Sequence, residues 1–233
     1  MKLQHKIAAM ALSSMALLSP SLLAQEVDVT ITNVTKGMIF TPLLVSAHPS
    51  SAQLFTGGEA ASLSLQKMAE GGDTADLTTD LTAVNATISN NPAGGLLMPG
   101  QSTTTTLTID DNTNSNLSIV AMMLPTNDGF MALNNAPIPT EPGTYTYKVN
   151  AYDAGTEAND EIINGGGAPN TAGIPGGATN TGATGIPGVT AEGYVHIHRG
   201  SLGDFDASGG VSDLDAGTHR WLNPVANIVI TVK

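Results

Sequence analysis

Gly143-Thr144-Tyr145-Thr146-Tyr147-Lys148-Val149-Asn150-Ala151-Tyr152-Asp153-Ala154-Gly155-Thr156-Glu157-Ala158-Asn159-Asp160-Glu161 is the stretch from which the fold and the candidate site are read. Its first part, Gly143 to Tyr152, is rich in threonine and tyrosine and reads as a β-strand. Its second part, Asp153 to Glu161, puts four carboxylates into nine residues with no base among them. That is a sharp concentration for a chain in which only 12% of residues are charged. A second acidic turn, Pro125-Thr126-Asn127-Asp128-Gly129, closes another apolar strand upstream. Two acidic turns at the ends of two strands can meet at one edge of a β-sandwich and hold a hard cation. Calcium, which takes six to eight oxygen ligands, is the ion such a turn suits best. Gly155 lets the backbone fold so that Asp153 and Glu157 approach each other, and a cation relieves the repulsion between such charges. The alternative for these residues is an acidic turn neutralised only by water.

Outward from this stretch the chain reads as many short strands. Glu26 to Val34 alternates polar and apolar residues, and Phe40 to His48 forms a second run opened by Thr41-Pro42. Gly100 to Asp110 carries a threonine run of strong β propensity, and Asn116 to Leu124 is apolar enough to be a central strand. Glu192 to His198 places both of its histidines on one face, and Val225 to Val232 is the last strand. The best helix candidate runs from about Glu59 to Glu70 and stops at Gly71-Gly72. The stretch from Asp73 to Pro92, rich in Thr, Asn and Ala, carries no assignment. Residues 163–190 are dominated by Gly, Ala, Asn, Thr and Pro and contain two Gly-Ile-Pro-Gly copies, at 173–176 and 185–188. Such a composition buries little apolar area, so it reads as a mobile loop within the domain rather than a collagen-like segment. The expectation is an all-β, antiparallel β-sandwich with one or two short helices.

The bulk properties narrow the class. Lys2 and Lys6 precede an apolar run from Ile7 to Leu18, and cleavage after Ala24 is expected, so residues 1–24 read as a signal peptide and 25–233 as the sandwich domain. The apolar run is shorter than the ~20 residues that span a bilayer. A secreted or periplasmic protein without a membrane span is therefore expected. There is no cysteine, which excludes disulfides and a lipid-modified cysteine anchor, and points to a bacterial exported protein. The formal net charge of −12 argues against nucleic acid, whose recognition needs basic patches.

Leu124-Pro125-Thr126-Asn127-Asp128-Gly129-Phe130 followed by Tyr152-Asp153-Ala154-Gly155-Thr156-Glu157 resembles the spondin N-terminal domain family. Gly71-Gly72-Asp73 after a helix containing Met68-Ala69-Glu70, and Trp221-Leu222-Asn223-Pro224-Val225-Ala226 before the last strand, extend the resemblance over most of the chain. It implies an eight-stranded sandwich similar to C2 domains with calcium at one end. Carried over, the ligands are Asp128, Asp153 and Glu157, with glutamate standing where animal members often have aspartate. Asp160 and Glu161 are additional candidates beyond that pattern. It also implies adhesion, with a cell-surface or matrix protein or glycan as partner, rather than an enzyme.

Three other features compete for attention. Asp204 to Asp215 has the oxygen-donor spacing of an EF-hand loop, with Asp where a bidentate Glu is usual, but its flanks do not look helical, so a solvated turn is the favoured reading. His196 and His198 could ligate zinc with His48 or His219, or be hydrogen-bonded edge histidines, the favoured reading. No Gly-x-Ser-x-Gly elbow is present, and Trp221 is expected in the core. The rival functions are a metal-dependent hydrolase using the acidic loops and histidines, and a structural surface protein.

Overall fold

The structure is a computed structural model that describes residues 25–109, 113–176, 182–206 and 208–233. The expected signal peptide lies outside the described residues, as do Asp110, Ala207 and residues 177–181 of the Gly-rich loop. The elements run β1 (Gln25–Asn33), β2 (Ile39–Phe40), β3 (Leu44–His48), α1 (Leu63–Gly71), α2 (Ala75–Ala83), β4 (Thr87–Asn90) and β5 (Ser102–Ile109). They continue with β6 (Asn116–Leu124), β7 (Gly129–Pro137), β8 (Gly143–Asp153), β9 (His196–Ile197) and β10 (Ala226–Val232). The protein is all-β and antiparallel with two short helices, as the sequence leads one to expect. Among the described residues no helix is long and apolar enough to cross a membrane.

The strands follow the order β4-β3-β6-β7-β8-β10-β1-β5, with β2 added on β6 and β9 on β8. The two ends of this path approach each other: Ser89 of β4 and Thr105 of β5 share a 2.7 Å hydroxyl contact. β8 is the hinge of the arrangement. Its first part, Gly143–Val149, pairs with β10, and its last part, Asn150–Asp153, pairs with β7. The strand thus passes from one layer into the other and carries Asp153 to its end.

Period-two alternation explains the first layer. Val27, Val29 and Ile31 of β1 and Ile228, Ile230 and Val232 of β10 point inward and are buried. The outward threonines pair across the strands, with Thr30 and Thr104 2.8 Å apart and Thr32 2.7 Å from Ser102. The second layer is different. β6 is buried along nearly its whole length because both of its faces are covered. Ile119, Ala121 and Met123 face the inter-sheet core, while Val120 and Met122 face a second core beneath the helices, with Leu65, Met68, Leu77, Leu81 and Phe130. An unbroken apolar run is the pattern such a strand requires. Trp221 is in the first core, as expected.

The helix expected from Glu59 starts later, at Leu63, because Ser62 caps it by accepting the Leu65 N–H at 3.1 Å. Gly72, with φ of 71°, ends it in the left-handed conformation. α2 has no counterpart in the sequence reading. It is a threonine-rich helix whose Thr78, Thr79 and Thr82 hydroxyls bond back to the carbonyls of Thr74, Ala75 and Thr78. Leu77 and Leu81, four residues apart, are its buried anchors. The strand expected over Glu192 to His198 is shorter, with only His196 and Ile197 in the ladder.

The Gly-rich segment is more anchored than its composition suggests. Ile174, from the first Gly-Ile-Pro-Gly copy, is fully buried, and its N–H donates to the Ile162 carbonyl at 2.9 Å. Ile186, from the second copy, donates to the Asp160 carbonyl at 3.1 Å. One isoleucine per copy fastens the described parts of this segment to the acidic turn.

Candidate metal centre

The two acidic turns meet. Gly129 of β7 is the ladder partner of Asp153 of β8, so Asp128 lies directly beside the end of β8. Thr126 shapes the first turn, donating to the Met123 carbonyl at 2.6 Å and accepting the Gly129 N–H at 3.0 Å. Asp153 shapes the second, its Oδ1 accepting the Gly155 N–H at 2.8 Å. Gly155 has φ of 69°, and a β-carbon there would run into the backbone of Tyr194. Gly155→Ala is therefore expected to destabilise the protein and pry the Asp153 turn from the segment carrying Tyr194 and His196. Loss of thermal stability together with weaker metal binding is the measurable outcome.

Asp128 is fully buried. Its Oδ2 accepts from the Thr156 N–H at 2.7 Å, the Glu157 N–H at 3.1 Å and the Thr156 hydroxyl at 3.1 Å. Its Oδ1 has no hydrogen-bond partner. Burial first, and then the nearby Asp153 charge, push the Asp128 carboxyl up to about 7. Asp153 is 1% exposed, and its Oδ2 accepts from Asn159 Nδ2 at 2.7 Å. Among the described residues the lysine ion pairs lie elsewhere, between Lys67 and Asp76 and between Lys233 and Glu26 and Asp28.

Glu157 follows a different direction from its neighbours in the expected ligand set. Its Oε2 accepts from the Gly173 N–H at 2.9 Å and its Oε1 is unpartnered. Burial is the main cause that raises its carboxyl to about 7, and the charges of Glu70 and Asp160 push the same way. Glu70 is itself buried with an unpartnered Oε2. Asp160 Oδ1 accepts from Asn127 Nδ2 at 3.0 Å and the Ile162 N–H at 3.2 Å. Glu161 is engaged by the neighbouring loop: Oε1 takes the Leu202 N–H at 2.6 Å, and Oε2 takes the Gly203 N–H at 2.8 Å and the Ser212 hydroxyl at 2.5 Å. Asp128 and Asp153 thus sit side by side, Glu157 is held by Gly173 and lines a separate pocket with Glu70, and Glu161 fastens the 202–212 loop.

A third acid enters that the sequence reading did not single out. Asp153, Glu192 and His196 each offer a ligand atom, and these atoms lie within 4.8 Å of one another, a group that could hold a metal ion. His196 Nε2 is 3.7 Å from Asp153 Oδ1 and 3.6 Å from Glu192 Oε1. His198 Nε2 is 4.0 Å from Asp153 Oδ2. The signal in the sequence was the spacing of Glu192 and His196 in the run that also carries His198. His48 is remote from this group in its bonding, held by the Ser118 hydroxyl and the Pro49 carbonyl, and His219 accepts from the Asp215 N–H.

The EF-hand-like loop turns Asp204 and Asp206 on itself, while Asp213 Oδ2 accepts the Ile163 N–H at 2.8 Å. Asp204 accepts from the N–H groups of Asp206, Val211 and Ser212 at 2.9–3.0 Å, and Asp206 from Ser208 at 3.0 Å. These bonds hold the Asp204 carboxyl below its ordinary range, which is the state of an anion already solvated by backbone.

The residues at the meeting of the two turns fit a cation. Asp128 Oδ1, a buried carboxylate oxygen without a donor beside Asp153, is what a bound ion would satisfy. Comparison with known proteins adds a family: the Spondin_N family model matches residues 33–163. No curated protein matches the chain.

Proposed function

The chain belongs to the Spondin_N family, and from that premise we propose that it is an exported, calcium-binding β-sandwich making extracellular or cell-surface contacts, with a matrix or surface protein or glycan as partner. The observation that carries the calcium reading is Asp128: a fully buried carboxylate beside Asp153, with one oxygen lacking any donor. Neighbouring buried carboxylates repel each other, and an oxygen-seeking divalent ion turns that repulsion into ligation. Asp128 and Asp153 would hold the ion. Glu157, anchored by the Gly173 N–H, would reach it by reorienting its unpartnered oxygen or through water.

In this reading the ion is structural. It would lock the turns that follow β6 and β8, and through the Asp160 and Glu161 bonds it would order the loops that close this end of the sandwich. Those loops, on a rigid scaffold, are where a contact surface belongs. The reading is of a contact module, not an enzyme.

Thermal melting with EDTA and with excess calcium tests it. Calcium at ~100 times its dissociation constant is expected to stabilise the wild-type protein by ~2.7 kcal/mol, and Asp153→Ala should abolish the shift. A wild-type melting curve unmoved by either treatment would remove the calcium reading.

A further inference from the structure

We propose that Asp153, Glu192 and His196 form a second, mixed nitrogen–oxygen site that takes a divalent transition-metal ion of the zinc type. The proposal does not rest on the calcium reading, although the two sites would share the Asp153 carboxylate.

The His196 ring is held from one side by the backbone. Its Nδ1 is 2.9 Å from the Ile197 carbonyl oxygen, which can only accept, so Nδ1 carries the proton. In the neutral ring Nε2 is then a bare lone pair. It has no hydrogen-bond partner, and it faces oxygens of Asp153 and Glu192 at 3.7 and 3.6 Å. Three electron-rich atoms converging on one point repel one another until a cation enters. A ring fixed through Nδ1–H to a backbone carbonyl, with Nε2 free, is the arrangement in which proteins present histidine to a metal.

His198 is an independent observation at the same place. It is 6% exposed, its Nε2 is unpartnered, and that atom points toward Asp153 Oδ2 at 4.0 Å. Its Nδ1 accepts the Gly200 N–H at 3.0 Å, so the neutral ring carries its proton on Nε2. A protonated Nε2 is no ligand, so His198 borders the site, 4.0 Å from Asp153 Oδ2, without joining the ligand set. The Trp221 ring, 5.0 Å away, holds it from behind.

Donor chemistry selects the ion. Calcium and magnesium take oxygen ligands, whereas imidazole nitrogen suits zinc, copper, iron and nickel. One imidazole and two carboxylates leave a coordination position open to water. A cavity of about 200 Å³ lined by Asp153, Glu192, His196 and His198 provides the room.

The test uses the full chain, stripped of metal and titrated with zinc by calorimetry. One zinc ion is expected to bind wild type, and Asp128→Asn should still bind it. His196→Ala and Glu192→Gln should each weaken it at least as much as loss of an outer-shell partner does, about 10–100-fold. His196→Ala should retain the calcium-induced thermal shift, so failure of one site is separable from failure of the other. Glu192 is partly exposed, so Glu192→Gln gives a result even if the histidine variant fails to fold. Zinc affinity unchanged in the folded variants would overturn the proposal. So would no zinc uptake by wild type, the behaviour of a cluster that accepts a proton only.

Discussion

Asp128→Asn should make the metal-free protein more stable at pH 8 and, in the same stroke, blind it to calcium. Asparagine keeps an oxygen to accept the Thr156 and Glu157 N–H groups, and places an amide N–H₂ where the unpartnered oxygen now lies beside Asp153. The sign follows from linkage. The folded-state carboxyl lies at about 7 and the unfolded one near 3.8, so between these values the folded protein holds a proton that the unfolded chain has lost. Wild-type stability contributed by this group is full below pH ~4 and lost as pH rises through ~7. At about 1.4 kcal/mol per pH unit, with part of the shift shared with Asp153, the variant should gain on the order of 2–4 kcal/mol at pH 8. The gain should shrink toward zero near pH 4. Comparing variant with wild type cancels the opposite contribution of His198, whose lowered value costs stability as pH falls from 6.5 toward 4. Chemical denaturation in EDTA across this range reads the difference. With saturating calcium the wild type recovers while Asp128→Asn does not.

Phe130→Ala should cost about 3–5 kcal/mol, as large aromatic truncations in a packed core do. Phe130 is fully buried in the core beneath the helices. Its ring meets Phe55 edge-on with centroids 5.3 Å apart and stacks with Tyr152 at 5.8 Å. Tyr152 and Phe130 are ladder partners, one residue from Asp153 and two from Asp128 respectively. The cavity would therefore open directly beneath both acidic turns. Besides the lower denaturation midpoint, calcium affinity should fall, because the carboxylates lose the rigid floor that keeps them together. A substitution equally buried but far from the turns, such as Ile230→Ala in β10, should lower stability without that loss of affinity.

These two residues also show what could be read from the chain before its structure. Asp128 and Asp153 end apolar runs, and strand pairing needs only adjacency of β7 and β8 to bring them together. The apolar β6 and the alternating β1 and β10 carry their burial pattern in plain sequence. α2 was hidden because threonine has poor helix propensity, and its stability comes from hydroxyl bonds within the helix and two buried leucines rather than from an apolar stripe. β7 was hidden because its second half, with Asn134 and Asn135, departs from alternation where its register with β6 shifts. Glu157 and Glu161 look alike in a list of acids, yet one is held by the Gly173 N–H and the other by the 202–212 loop. Side-chain direction within these turns is decided by contacts from other segments, the Gly173 N–H 16 residues from Glu157 and the Leu202 N–H 41 residues from Glu161, and no local pattern encodes them. Glu192 joins Asp153 for the same reason: β9 must first dock on β8.

The central claim is that the meeting of the two acidic turns is a calcium site. A crystal structure grown in calcium, with anomalous data to locate the ion, tests it most directly. The account predicts a calcium peak within ~2.3–2.6 Å of oxygens from Asp128 and Asp153. A crystal of the folded protein in excess calcium with no peak there, or with its only peak in the Asp204–Asp215 loop, would contradict it.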